Sequence, residues 1–300
     1  MKTLVIQNPY SSRWKSSRRQ EDLKNALADA GIQFDLVVTE EQKHATELSK
    51  KGCLEGYDTI IAAGGDGTIG EVINGIMSVE KQGKLPNFGI MPLGTANDLA
   101  ANLGISDELT QAAKTIAAGK TKKLDIGEVN GRYFINNSGL GLEPYTTVLQ
   151  EKMTKVPGTP RYMLAVFGGI IKNKQWVMQI EWDGGSFEGP TTLVSVGNGA
   201  RTGGFFYTVP HADPTDGKLS FVHGYIPTRA QILKVLPMTM KPAEGNYVEH
   251  PAVHEIHCTW LKVHVEPGTP AHTDGELFAT SIHDLEYKIL PARIPILINE

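Results

Sequence analysis

Over its first 120 or so residues the chain alternates between two hydrophobic periods. Stretches 3–7, 34–39, 58–63 and 88–91 read as strands, several of them apolar without a polar gap. Between them, stretches 16–30, 44–51, 68–79, 96–103 and 107–118 read as helices. In the first of these, Leu23, Ala26, Leu27 and Ala30 fall on one face, and Gly31 stands where a C-cap is expected. Strands buried on both faces and joined through helices imply an α/β domain, a doubly wound parallel sheet with helices on either side. Such a sheet holds its ligands in the loops at the carboxyl ends of its strands.

The pattern changes after Lys120-Thr121-Lys122-Lys123. Short β-rich runs follow at 132–136, 176–182, 191–196, 219–225 and 261–265, separated by Gly, Pro, Asn and Asp. One helical stretch, 162–172, interrupts them. An all-β second domain, a β-sandwich, is expected, and 300 residues suffice for two cores. The net charge of −4 argues against a nucleic-acid partner. Two distant cysteines, Cys53 and Cys258, make no disulfide framework, and a reducing cytoplasm suits them. No run approaches the roughly 18 apolar residues of a membrane span, so lipid is expected to be met from the water side.

Thr59-Ile60-Ile61-Ala62-Ala63 runs into Gly64-Gly65-Asp66-Gly67-Thr68 and then into a helix. A strand, a glycine turn and a helix N-terminus make an anion site, because the helix end offers unpaired N–H groups and partial positive charge. Glycine lets the backbone approach a phosphate and adopt positive φ. A plain turn is the alternative, but three glycines with an acid and a hydroxyl exceed what a turn needs. Gly65, Gly67 and Gly70 also fit the dinucleotide pattern G-x-G-x-x-G. That pattern wants an acid about 20 positions on, where Met91-Pro92-Leu93 stands instead. The Walker loop is excluded, since no Lys-Ser or Lys-Thr follows the second glycine. Asp66 would repel phosphate unless Mg²⁺ or a water lies between them. A second glycine turn, Pro92-Leu93-Gly94-Thr95-Ala96-Asn97-Asp98, follows the fourth strand, with Thr95 or Asn97 as candidate cap. The first strand ends in the donor-rich Asn8-Pro9-Tyr10-Ser11-Ser12. Three such turns on one sheet edge point to a single site.

Together with Asp274-Gly275-Glu276, these turns resemble the diacylglycerol kinase catalytic family in its bacterial lipid-kinase branch, whose relatives include sphingosine kinases, NAD kinases and phosphofructokinases. The resemblance spans the chain. It implies a phosphofructokinase-like domain over 1–123, a sandwich over 124–285, and a C-terminal segment, 286–300, returning to the first domain, with ATP in the cleft. It implies nucleotide contacts at Asn8, Pro9, Tyr10, Ser11, Ser12, Thr39, Gly64, Gly65, Asp66, Gly67, Thr68, Ile69, Gly70, Thr95 and Asn97. Two positions depart from the family's pattern: the first loop ends Ser11-Ser12 rather than Ser-Gly, and Gly70 rather than Asn precedes Glu71.

Asp274-Gly275-Glu276 alone reads as a β-turn with solvated acids. A kinase needs a carboxylate to accept the acceptor hydroxyl's proton, and Mg²⁺ on the phosphates. The resemblance gives the triplet the catalytic base, either Asp274 or Glu276, with Asp66 as the third catalytic acid. Asp213 and Asp216 flank a turn and could share a hard cation or simply cap a hairpin. The resemblance implies a structural Mg²⁺ on Asp213, Asp216 and the carbonyl of Lys218. Eight of the nine histidines follow residue 200 without metal spacing. Basic residues Arg13, Lys15, Arg18 and Arg19 read as a solvated helix face that could also help hold triphosphate. Lys152, Lys155 and Arg161, around Met153, Val156 and Pro157, could touch an anionic bilayer as readily as they could be solvated. The expected activity is an ATP- and Mg²⁺-dependent lipid kinase with a lipid substrate at the membrane surface. It has no spanning segment, is cytoplasmic or peripheral at the membrane, and a homodimer is compatible with it. The rivals are a kinase of a soluble acceptor such as NAD and a non-catalytic nucleotide sensor.

Overall fold

The computed structural model describes residues 2–11, 19–153 and 159–299. Ser12, Arg13, Lys15, Arg18, Lys155, Val156 and Pro157, singled out above, lie outside the described residues. The chain forms two compact units, Met1–Ile126 with Pro291–Glu300, and Gly127–Leu290.

The first unit is built on β1 (Thr3–Gln7), β2 (Asp35–Val38), β3 (Thr59–Gly64) and β4 (Asn87–Pro92), all parallel in the order β2-β1-β3-β4. Its helices are α1 (Gln20–Asp29), α2 (His44–Leu54), α3 (Asp66–Met77), α4 (Asp98–Asn102) and α5 (Leu109–Ala118). Ile60 and Ile61, consecutive in β3, must point to opposite faces. Gly52 of α2 lies so close to Leu4 and Ile60 that a Cβ there would come within 2.6 and 3.3 Å of them. A Cβ on Gly89 would come within 3.1 Å of Ile61 and 3.2 Å of Ile116 in α5. Helices therefore cover both faces of a doubly wound sheet. The chain leaves this unit in β5 (Thr121–Val129) and returns in β14 (Glu276–Leu297), whose Ile296 adds in parallel beside Phe88. Asp125, buried, anchors that return by accepting the Ala292 N–H at 2.6 Å.

The second unit adds β6 (Arg132–Phe134), β7 (Asn137–Gly141), β8 (Trp176–Trp182), β9 (Gly185–Thr191), β10 (Leu193–Gly197), β11 (Leu219–Gly224), β12 (Val253–Cys258) and β13 (Trp260–Thr273). The long β13 is broken by register shifts between His264 and His272. Its first half pairs with β8, and its second half with β7, so one strand serves two sheets, as the corner strands of sandwiches do. One sheet runs β9-β8-β13 and the other β12-β11-β10-β7-β13, all antiparallel. Met178, Ile180, Val263, Val196 and Phe221 fill the core between them.

The sandwich is as expected, but the sequence reading gave it one helix, 162–172, and the structure has three. Helices α6 (Leu142–Lys152), α7 (Thr159–Lys172) and α8 (Arg229–Val235) accompany the sandwich. Phe221 faces the sandwich core, whereas its neighbour Val222 joins a second core with Leu142, Val166, Ile170 and Ile232. The outer face of the β10–β11–β12 sheet is therefore apolar as well, and the helices exist to cover it.

Candidate active site

Parallel strands place all their carboxyl ends on one edge, so the turns after β1, β2, β3 and β4 come together. Asn8 Nδ2 donates to Thr68 Oγ1 at 3.0 Å, and the Ser11 and Thr68 hydroxyls lie 3.5 Å apart. Thr39, buried, donates its N–H to Gln7 O at 2.9 Å. Leu93 N–H donates to Gly64 O at 2.9 Å. Gly64, Gly65, Gly67, Thr68, Ile69 and Gly70 form the strand end and first turns of α3, and Tyr10 lies exposed beside Asn8. Thr95 is exposed at the tip of the second turn.

The glycines are here for space and not, as expected, for positive φ. Gly65 is the extended N-cap of α3, with φ −98°, and no residue from 64 to 70 lies in the left-handed region. A Cβ on Gly94 would stand 2.4 Å from Gly65 Cα and 2.5 Å from Asn97 Oδ1. The two loops press backbone on backbone, and Gly65 offers no side chain to the first N–H groups of α3. Gly94→Ala is expected to destabilise the first unit by about 1–3 kcal/mol and to weaken nucleotide binding with it. Thermal melts with and without ATP check both.

Asn97 does not cap α4. It is left-handed, with φ 51°, and folds back to accept the Gly94 N–H at 2.9 Å while donating to Asp107 Oδ1 at 2.9 Å. The cap comes from Asp66, whose Oδ1 accepts the Leu99 N–H at 3.2 Å. Burial raises the Asp66 carboxyl above its ordinary value, and backbone N–H groups of Leu99, Asp98, Asp66 and Asn97 partly offset that. Asp66 thus ties the phosphate-type loop to the second turn. Glu71, to which the sequence assigned no role, accepts N–H groups of Lys43 at 2.9 Å and Ala45 at 3.2 Å and so caps α2.

In the second unit, Asp274 and Gly275 are the two central residues of the β13–β14 hairpin, with φ 47° and 81° as a type I′ turn requires. Asp274 is not a solvated acid. Its carboxylate accepts the N–H groups of Ile135 at 3.0 Å, Asn136 at 2.8 Å and Asn137 at 3.0 Å, and its own N–H donates to Asn137 O at 2.8 Å. Glu276, next along, is exposed. Asp213 Oδ1 accepts from Thr215 N–H at 2.9 Å and its hydroxyl at 2.6 Å, and Asp216 Oδ1 accepts the Lys218 N–H at 2.9 Å. Each acid is braced on its own loop by one oxygen. Among the described residues no three His, Cys, Asp or Glu side chains converge for a metal. Burial pushes the Cys53 thiol up to about 11 and Cys258 to about 12, which leaves both poor nucleophiles.

An apolar cleft opens between the helices and the sandwich of this unit, walled by Leu142, Val166, Ile170, Leu193, Ile232 and Leu236. No sequence signal marked it, because its walls come from five separate segments.

Residues 2–129 match the family model of the diacylglycerol kinase catalytic domain, and residues 138–298 that of the YegS C-terminal NAD kinase beta sandwich-like domain. The chain is an alcohol-group phosphotransferase. A diacylglycerol kinase of Bacillus subtilis (strain 168) is 31% identical over 91% of this chain and 88% of its own, and one of Staphylococcus aureus (strain MRSA252) is 32% identical over 83% and 78%. A diacylglycerol kinase structure from Bacillus anthracis str. Sterne superposes with a TM-score of 0.77 at 23% identity, covering 99% of this chain and 97% of that one. The chain belongs to the diacylglycerol kinase family.

Proposed function

We propose that this protein is an ATP- and Mg²⁺-dependent kinase of a diacylglycerol-like lipid, acting at the surface of an anionic bilayer. The observation that carries the lipid over a soluble acceptor such as NAD is the apolar cleft of the second unit, which suits an acyl chain and offers a dinucleotide little. In the first unit the bare N-terminus of α3, with Asn8 and Thr68 beside it, fits the triphosphate of ATP. In the second, Glu276 accepts the proton of the lipid hydroxyl as it attacks, and Asp274 holds the turn that carries Glu276. Asp213, Asp216 and the Lys218 carbonyl are hard oxygen donors of the kind that hold a structural Mg²⁺. Mg²⁺ entering with ATP would neutralise phosphate charge, with Asp66 the nearest acid of the loop.

The bilayer reading has its own support. Leu164 (50% exposed), Phe167 (42%) and Ile171 (63%) form one stripe on α7, while Val166 and Ile170 of the same helix line the cleft. Leu233 and Met240 are exposed beside the cleft residues Ile232 and Thr239. Neither 152–174 nor 227–243 contains an acidic residue, and Lys152, Lys172, Lys174, Arg229, Lys234 and Lys241 are exposed there. An apolar stripe in a basic setting, on an otherwise acidic chain, complements anionic lipid. No helix among the described residues is long and apolar enough to cross a membrane.

Radiolabelled ATP offered with diacylglycerol in anionic vesicles is expected to label the lipid. Labelling of NAD instead would replace the reading with the soluble kinase, and ATP binding without any labelled acceptor would leave a nucleotide sensor. The double variant Phe167→Glu, Ile171→Glu is expected to lose about tenfold or more of vesicle binding and vesicle turnover, yet to keep its rate on a short-chain, monomeric diacylglycerol. If light scattering instead shows a wild-type dimer that the variant splits, the stripe is a contact between copies.

A further inference from the structure

Behind the Asp274 turn lies a largely buried polar cluster that the reaction as described does not use. Glu143, second residue of α6, lines the apolar cleft. Its Oε1 accepts from Asn137 Nδ2 at 3.2 Å and stands 3.2 Å from His272 Nε2, and its Oε2 accepts from Ser195 Oγ at 2.6 Å. These partners sit on β7, β13 and β10, neighbours in one sheet. Gly139 makes the room, since a Cβ there would come within 2.7 Å of His272 Nε2 and 2.8 Å of Glu143 Oε2.

A carboxylate in such a place is costly, and an apolar side chain of its size would often serve stability as well. Burial pushes the Glu143 carboxyl up, but the charge of His272 and the hydrogen bonds from His272, Ser195 and Asn137 outweigh it and hold the group below its ordinary value. What the acid gains for the molecule is visible at Asn137. That residue's N–H donates to Asp274 Oδ1 at 3.0 Å, and its carbonyl accepts the Asp274 N–H at 2.8 Å. His272 precedes Asp274 by two positions on β13. From Glu143, one link therefore reaches the turn through β7 and another through β13.

We propose that Glu143 is a positioning residue for phosphoryl transfer, clamping β7 to β13 at the root of the Asp274–Gly275 turn so that Glu276 keeps one geometry. This rests on the reading of Glu276 as the base. Because Glu143 also lines the cleft, the seat of the lipid chain and the placement of the base share one support.

The test is Glu143→Gln, which keeps the size but loses the charge and one acceptor. In the full chain, kcat on diacylglycerol is expected to fall about tenfold, with KM for ATP unchanged. The amides of Asn136, Asn137 and Asp274 are expected to exchange hydrogen about tenfold faster, while those of β11 and β12 stay protected. Ser195→Ala, which removes one donor only, gives the same pattern at smaller size and serves if the first variant folds poorly. Unchanged kcat, or unchanged exchange at those three amides, in a folded variant overturns the proposal. So does faster exchange spread evenly over the unit, which would make Glu143 a structural acid only. If the wild-type protein phosphorylates no diacylglycerol, the lipid reading falls, and the exchange pattern alone decides the clamp.

Discussion

Glu276→Gln is expected to lower kcat by about 10²–10⁴ with no change in melting temperature, whereas Asp274→Ala is expected to lose both activity and stability. The two acids of one hairpin separate because their surroundings differ. Glu276 is exposed at the start of β14, where an isosteric amide changes no packing. The exchange removes the charge at constant size, so it is read first in the rate. Asp274 accepts three backbone N–H groups from residues 135 to 137. Truncating it strands those donors, at about 3 kcal/mol or more for the set. It also removes the acceptor bonds that favour the left-handed φ of 47° at that position, a conformation Asp tolerates better than Ala. Calorimetry and initial rates on the two variants distinguish the roles. An active Glu276→Gln would move the base to Asp274, and a thermally unchanged Asp274→Ala would remove the anchor.

Much of the fold could be read from residue order because the signals were local. The apolar runs of β1 and β3 and the cap at Gly31 needed no partner to be recognised. The helices beside the sandwich were harder. Stretch 142–152 carries Pro144 and the β-branched Thr146, Thr147 and Val148, all weak helix signals, and it is helical because Leu142 is packed against the outer sheet face. Helix α8 did carry a readable start, Thr228-Arg229-Ala230-Gln231, in which Thr228 accepts the Gln231 N–H at 3.3 Å and donates to its side chain at 2.7 Å.

The candidate site divides in the same way. Asp274-Gly275 announces a two-residue hairpin in its own letters. That Asp274 would be gripped by residues some 137 to 139 positions earlier depends on β7 pairing with the end of β13. Glu143 had no local signal at all, since its partners come from three different strands. The glycine loop was recognisable as a strand-to-helix turn, yet the reason for its glycines was not, because the neighbour they make room for is Gly94 on another strand's turn.

Asp66 is where the two kinds of information meet, and its substitution is expected to have the second large effect. An acid in a phosphate loop first suggests a metal. The structure gives the same carboxylate a backbone task, capping α4 through the Leu99 N–H at 3.2 Å. Asp66→Ala removes the cap and any metal contact together, so it is expected to cost about 1–2 kcal/mol of stability along with most of the activity. Asp66→Asn separates them. Asn retains an oxygen for the cap, and it relieves the burial cost that raises the Asp66 carboxyl. That cost is present above the raised folded-state value and vanishes at pH below the unfolded one, so near neutral pH the amide is expected to melt within a degree or two of the wild type. An amide is a much weaker partner for Mg²⁺, and transfer is expected to fall at least about a hundredfold in the Asn variant. Rates measured across a Mg²⁺ titration check this. If Asp66→Asn turns over like the wild type while Asp66→Ala does not, the carboxylate is a clamp between two loops, and the metal belongs to other oxygens.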